Sequence, residues 1–374
     1  TFVFNDGTIR TIPEDREGNQ QNNQQRDGLG WISDPHGIPC VSGERRSNAQ
    51  QYLGSQALIT AAGAGAASPL LGLAIAPLFA LPFILPGELR QSKGGTVDRG
   101  RLKAYAAYGY PIAASLALAV VLASTDRFLL AAFMDAAAVG AYHASYSLAN
   151  RTLDVMFIWL GAAGAPAMVM ALERGGREAL RQTALEQGST LILIGLPAAV
   201  GLALVARPMA ELMIGENLRA AAALVTPWIA ASAFLSGMIA YYFGFGFTLG
   251  KKTALLLVTM AIPAVSNVVL NLILIPRLGV VGAAVSTAAS FAIGLVACLV
   301  ISRRAIALPI PWESLIRCGL AAGAMALVVV RLPPLGGFVE LVLDAGVGAL
   351  VYAAAAFRTS DLAGYRGAVL LALA

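Results

Sequence analysis

Long apolar runs separated by short polar loops fill the chain from about Ala57 onward. They cover residues 53–87, 105–133, 140–172, 189–206, 221–247, 254–275, 282–301, 315–331 and 338–357. A bilayer-crossing helix needs roughly 17–25 residues, and these runs reach that length without the two-residue alternation of a barrel strand. The pattern predicts an all-α, polytopic helical membrane protein with nine or ten transmembrane helices. The count turns on the first run, where Ser68-Pro69, Pro77 and Pro82 allow either one kinked span or two short spans meeting at Pro69.

The same pattern divides the chain. Residues 1–52 have few apolar runs and a Gln/Asn tract, Gly18 to Gln25, that offers nothing to build a core, so they read as a polar, mostly disordered leader. No positively charged start precedes an apolar core there, which excludes a signal peptide, and the first residue is Thr, which reads as a truncated or processed front. Residues 53–87 hold the first one or two membrane helices and 88–104 a basic loop. Residues 105–301 form a helical bundle, and 302–374 contribute two further helices and a short tail.

Composition agrees with this class: 57% of residues are hydrophobic, only 13% are charged, and the mean hydropathy is +0.71. Charge adds orientation. Alternate loops carry fourteen basic residues (Arg90, Lys93, Arg99, Arg101, Lys103; Arg174, Arg177, Arg181; Lys251, Lys252; Arg303, Arg304; Arg358, Arg366), against four in the opposite loops, Arg207, Arg219, Arg277 and Arg331. The positive-inside rule therefore puts the first set and the C-terminus in the cytoplasm. The net charge of +5 is scattered through these loops, so nucleic acid is not an expected partner. Cys298 and Cys318 sit in apolar runs and Cys40 alone in the leader, which argues against a disulfide framework.

Candidate chemistry concentrates where charge enters an apolar run, because a charged side chain there costs at least ~2.5–3.5 kcal/mol and is expected to face a wet interior or a partner. Within 140–172, Tyr142, Tyr146, Asn150 and Asp154 recur every fourth residue, with His143, Ser147 and Arg151 as the neighbouring stripe. A turn around Asp135 to Val139 would make 105–133 and 140–172 an antiparallel hairpin centred near position 137. Asp126 and Arg127 would then lie level with Ser147 and Leu148, one helical turn from Arg151, close enough for an Asp126 to Arg151 pair. Either these charges neutralise one another and hold two helices together, or they line a water-filled cavity whose arginines attract an anionic head group and whose aspartates balance them or take up protons or cations. Four turns of polar face favour the cavity.

Other features admit plainer explanations. Asn267 and Asn271 share a face and suit interhelical hydrogen bonds as well as substrate contact. Gly282, Ser286, Ser290 and Gly294, and likewise Gly319 and Gly323, form small faces expected to let helices approach closely. Tyr241, Tyr242, Phe243, Phe245 and Phe247, just before Lys251-Lys252, suit headgroup anchoring. Glu340 and Asp344 fall near the outer end of the last helix, where water could reach them. No phosphate loop, nucleophile elbow, HExxH spacing or paired-cysteine zinc site occurs, so nothing points to an enzyme, a metal or a bound cofactor.

Four stretches carry a family resemblance: Ser124 to Leu130 (STDRFLL), Val139 to Ala149 (VGAYHASYSLA), Tyr241 to Thr253 (YYFGFGFTLGKKT) and Asn267 to Thr287 (NVVLNLILIPRLGVVGAAVST). Their order over about residues 100–310 resembles the second half of the polysaccharide biosynthesis or oligosaccharide flippase family, in the superfamily that includes multidrug exporters and lipid II flippases. The resemblance implies a two-lobed, inner-membrane transporter that moves an undecaprenyl-diphosphate-linked oligosaccharide outward by alternating access, with membrane lipids, the lipid-linked glycan and other polysaccharide-assembly proteins as partners. Residues 105–301 would be one complete lobe and 53–87 a remnant of the first. Asp126, Arg127, Tyr142, Tyr146, Asn150, Arg151, Asp154, Asn267 and Asn271 would line the cavity, the arginines engaging the diphosphate and the aspartates coupling to an H+ or Na+ gradient. A cation-coupled multidrug exporter is the alternative within transport. A non-transporting scaffold and a membrane-embedded glycan polymerase or acyltransferase are the alternatives outside it.

Overall fold

The structure, a computed structural model, describes residues 85–86 and 98–358. The chain divides into two compact units, Thr1–Val97 and Asp98–Ala374. Of the first, only the helical residues Leu85 and Pro86 are described, so the expectations for the leader and for 53–87 lie outside the described residues, as does the tail beyond Arg358. Everything below concerns the second unit.

Helix α1 spans Arg99–Phe133. It begins earlier than the apolar run because the Asp98 side chain accepts from the Gly100 and Arg101 amides at 2.8 and 3.3 Å, so the basic residues form an extra polar turn. Helix α2 spans Ala136–Leu204, capped by Asp135, which accepts from the Ala138 amide at 2.8 Å. Gly176 breaks α2 at φ 68°, a backbone region that glycine enters without steric cost. The arms 136–175 and 177–204 turn back on each other, since Gln187 Nε2 donates to the Leu160 carbonyl at 2.8 Å and Gly195 meets the Phe157 ring.

The short helix α3 (Ala206–Met213) precedes α4 (Glu216–Met238), which runs through a π-turn at Ile239–Phe243 into α5 (Phe245–Leu249). Helix α6 (Thr253–Ser302) folds at Gly279 (φ 60°), which brings Gly294 against Pro263. Helices α7 (Trp312–Val329) and α8 (Gly337–Arg358) follow. Six of these helical stretches are long and apolar enough to cross a membrane, two of them folded in half, so eight spans occupy the positions expected from the apolar runs after residue 98. This is an all-helical, multi-pass membrane fold, with no strand among the described residues.

Helices approach closely where one side lacks a side chain. A Cβ on Gly237 would lie 2.4 Å from the Phe157 ring, and one on Gly164 would lie 2.0 Å from Gln187. Such small-residue contacts drive association in lipid, where burying apolar surface yields little between helices. Gly282 and Gly294 behave as expected, facing Leu274 and Pro263 across the α6 fold. Gly319 and Gly323 do not: no atom lies within 4 Å of where their Cβ would be, because that face of α7 looks outward while Cys318, Ala321, Ala322 and Met325 pack inward.

The aromatic cluster also departs from expectation. Tyr242, Phe243 and Phe247 are buried, because the π-turn rotates them into the core instead of leaving them at the headgroups. Glu340 and Asp344 are likewise buried, not wetted, and Glu340 accepts from the Gly336 amide at 2.7 Å. Helix α3 was not anticipated from sequence. Its Glu211 accepts from the Gly337 amide at 3.1 Å and from Arg207 Nε at 3.1 Å, joining α3 to the start of α8.

Candidate functional site

The unit's most distinctive polar centre is built around Asp126, which is 1% exposed. Three helices supply it: α1 brings Asp126, the first arm of α2 brings Tyr142, and the two arms of α6 bring Asn267 and Asn271 on one side of the fold and Thr287 on the other. The Tyr142 hydroxyl donates to Asp126 Oδ2 at 2.5 Å, Thr287 Oγ1 donates to the same oxygen at 2.8 Å, and Asn271 Nδ2 donates to Oδ1 at 2.6 Å. Asn271 Nδ2 also reaches Asn267 Oδ1 at 3.0 Å. Asn267 Nδ2 lies 3.4 Å from Thr287 Oγ1. Among the described residues Asp126 has no arginine or lysine partner, and the buried Asn271 Oδ1 has no hydrogen-bond donor.

The turn explains why Asp126 meets Tyr142 and not Arg151. It comprises Met134 and Asp135 alone, so the hairpin is centred between them, and Asp126 is level with Tyr142 and His143. The expected Asp126 to Arg151 pair does not form; Arg151 lies two turns deeper and is exposed. Thr287 was missed from the sequence although the signal was present, since it and Asn271 stand eight residues either side of Gly279, the point where α6 folds.

Beside this centre the polar stripe of α2 turns outward. A residue every four positions precesses by about 40° per step on a 3.6-residue helix. Tyr142 is accordingly buried, Tyr146 and Asn150 are half-buried, and Asp154 is exposed. Tyr146 stacks on Tyr142 with ring centroids 6.1 Å apart, and the Arg127 guanidinium sits 5.0 Å from the Tyr146 ring centre. Arg127 Nε is buried without an acceptor among the described residues. His143 and Arg151 are exposed beside this half-buried arginine. Of the nine residues singled out from sequence, four join the Asp126 centre: Asp126, Tyr142, Asn267 and Asn271. The other five, Arg127, Tyr146, Asn150, Arg151 and Asp154, lie on the adjoining face.

Asn271 reaches Asp126 through its amide nitrogen, while the centre's oxygens are those of the carboxylate, the Tyr142 and Thr287 hydroxyls and the Asn267 and Asn271 amides, of which only the carboxylate is charged. Oxygen ligands of this kind suit a hard cation, and a single negative charge suits one monovalent ion or a proton. No group of three His, Cys, Asp or Glu residues that could hold a metal occurs among the described residues. Fold and site together define a polytopic helical membrane protein with a buried, charge-bearing centre next to an arginine-lined face.

Comparison with known proteins carries this further. Residues 54–223 match the family described as polysaccharide biosynthesis protein. The matched segment contains the stretches at Ser124 to Leu130 and Val139 to Ala149; those at Tyr241 to Thr253 and Asn267 to Thr287 lie beyond it. Among solved structures, the fold is similar to "Lipid II flippase MurJ, inward closed conformation", with a TM-score of 0.60 and 14% identity, over 86% of this chain and 67% of that one. No curated protein matches.

Proposed function

We propose that this protein is a flippase for a lipid-linked oligosaccharide of the undecaprenyl-diphosphate type, working by alternating access in the inner membrane with its C-terminus in the cytoplasm. The observation that carries the reading is the Asp126 carboxylate, buried at membrane depth without a cationic side chain, one residue from an arginine on an open polar face. A carboxylate in that setting must be neutralised by a proton or a small cation, which gives the protein a way to couple conformation to an H+ or Na+ gradient. The arginines give the second half of the cycle. Arg127 and Arg151 offer fixed, permanently charged donors that suit a diphosphate, and Tyr146, Asn150 and Asp154 supply a polar lining for sugars. The match of residues 54–223 to the polysaccharide biosynthesis protein family supports a role in polysaccharide assembly, and the similar fold is that of a lipid II flippase.

The test is a reconstituted flipping assay with the full chain and a fluorescent, diphosphate-linked oligosaccharide lipid, scored by the fraction accessible to a membrane-impermeant quencher. Arg127→Ala and Arg151→Ala are each expected to slow flipping by about ten-fold to a hundred-fold, since a hydrogen bond to a charged group is worth about 1.5–3 kcal/mol. Replacement by Lys should restore part of the rate, because the charge stays while the bidentate geometry is lost. Wild-type rates in both alanine variants would show the arginines to be structural and overturn the reading.

A further inference from the structure

A second basic site lies away from the Asp126 centre, at the fold of α2. A cavity of about 380 Å³ opens between the beginning of the second α2 arm and the connection that leads from α6 to α7. Its rim carries Arg177, Arg181 and Arg303, and its floor is apolar, with Ile306, Leu308 and Pro309. Arg181 is shared with Glu178 at 3.6 Å, whereas Arg177 and Arg303 have no acidic partner among the described residues. Along the first arm, Gly176 lies roughly 37 Å beyond Arg151 at 1.5 Å per residue, so this cavity and the arginine-lined face are separate sites.

The walls are fixed in place. The Tyr242 hydroxyl lies 2.9 Å from the Ala184 carbonyl and 2.8 Å from the Pro309 carbonyl, tying the second α2 arm to the α6–α7 connection. A Cβ on Gly246 would lie 2.2 Å from the Ile306 carbonyl, so the connection rests directly on α5. Lys252 donates to the Arg304 carbonyl and holds the end of α6. The arm itself is amphipathic, burying Leu180, Ala184 and Gly188 and exposing Arg177 and Arg181. A preformed cavity with a cationic rim, an apolar floor and a position at the ends of membrane spans matches a ligand that has a phosphate above and hydrocarbon below.

We propose that this cavity binds the phosphodiester head group of an anionic membrane lipid, with Arg177 and Arg303 on the phosphate and Ile306 and Leu308 against the upper acyl chain. Free phosphate shares the head-group chemistry but has no use for the apolar floor, and the lipid is therefore the assigned source. The site is independent of the flippase reading and stands or falls without a transport assay.

The test is native mass spectrometry of the purified, delipidated full chain titrated with phosphatidylglycerol, phosphatidylcholine or inorganic phosphate. The wild type should retain one phosphatidylglycerol in preference to phosphatidylcholine. Each arginine near an anionic head group contributes about a five-fold preference, so Arg177→Gln with Arg303→Gln should lower it about twenty-five-fold. Ala307→Trp, which fills the cavity without altering charge, should abolish the preference too. Arg99→Gln with Arg101→Gln, a basic pair outside the cavity, should leave it intact. All four altered arginines are exposed, and an unchanged melting temperature confirms that the fold is kept. Retained preference in the Arg177/Arg303 or Ala307→Trp proteins would overturn the assignment, as would equal loss in the control pair. Displacement of phosphatidylglycerol by equimolar inorganic phosphate would identify a free-phosphate site instead and refute the lipid.

Discussion

Replacing Asp126 by Asn separates a structural from a functional role for the buried carboxylate. The substitution removes the charge and keeps the shape. In the native site three donors reach the carboxylate at 2.5, 2.8 and 2.6 Å. Hydrogen bonds to a charged acceptor contribute about 1.5–3 kcal/mol each, and placing the charge at membrane depth costs at least ~2.5–3.5 kcal/mol. Three such bonds sum to about 4.5–9 kcal/mol, and the amide keeps them as neutral bonds summing to about 1.5–4.5 kcal/mol, so the loss of about 3–4.5 kcal/mol is largely offset by the relieved burial cost and stability should change by little. The amide can keep its oxygen toward Asn271, while Tyr142 and Thr287, both hydroxyls, reverse from donors to acceptors of the amide hydrogens. Melting of the purified protein should therefore stay close to wild type. Flipping should fall at least about a hundred-fold, or about 2.8 kcal/mol, because the donor set loses its only formal negative charge and with it the proton or cation. Any dependence of the residual rate on an imposed H+ or Na+ gradient should vanish. A variant that flips at the wild-type rate would refute the coupling role. One that fails to fold would refute the energy balance above and make the carboxylate a structural tie.

Three further outcomes follow from the geometry. The Glu211 carboxyl is held below its ordinary value of 4.5 by the Gly337 amide first and then by Arg207. A depressed folded-state value means the α3–α8 contact is fully present above the unfolded value and is lost as pH falls through the folded one, so spin labels at the exposed positions Met213 and Phe338 should separate in acid, and Glu211→Gln should abolish the pH dependence. Gly237→Ala should destabilise the bundle by about 1–3 kcal/mol, because its Cβ would stand 2.4 Å from the Phe157 ring, and adding Phe157→Leu should recover part of the loss in a thermal melt. Single cysteines at Lys251 and at Asp135, in a chain freed of its three native cysteines, should react with an impermeant reagent from opposite sides of the membrane, Asp135 from outside.

Much of the fold was legible because bilayer physics writes it in one dimension. A span must be apolar for its whole length and the loops between spans may be short, so the runs at 140–172 and 189–206, or 254–275 and 282–301, could be recognised as separate crossings even though each pair is one helix folded at a glycine. What hydropathy does not encode is which face of a span turns inward. Tyr242 and Phe247 look like headgroup anchors in sequence and are core residues in the structure, because a π-turn advances the helix out of its regular register. Gly319 and Gly323 have the spacing of a packing face, yet α7 turns that face away from its neighbours.

The site shows the same division more sharply. Residue type alone marked Asp126, Asn267 and Asn271 as polar groups at membrane depth, and that much survives unchanged. The partner of Asp126 depended on the centre of one hairpin. Placing the turn at Asp135 to Val139 set Arg151 within reach, whereas recognising Asp135 as the N-cap of the next helix moves the centre back by two to three residues and sets Tyr142 opposite. The consequence is chemical, not cosmetic. Paired with Arg151, Asp126 would be a neutral tie between two helices with no need of an ion. Surrounded by a phenol, a threonine and an amide, it has no cationic partner among the described residues, and Arg151 stays exposed, which is what the proposed proton or cation coupling and the proposed capture of an anionic substrate require.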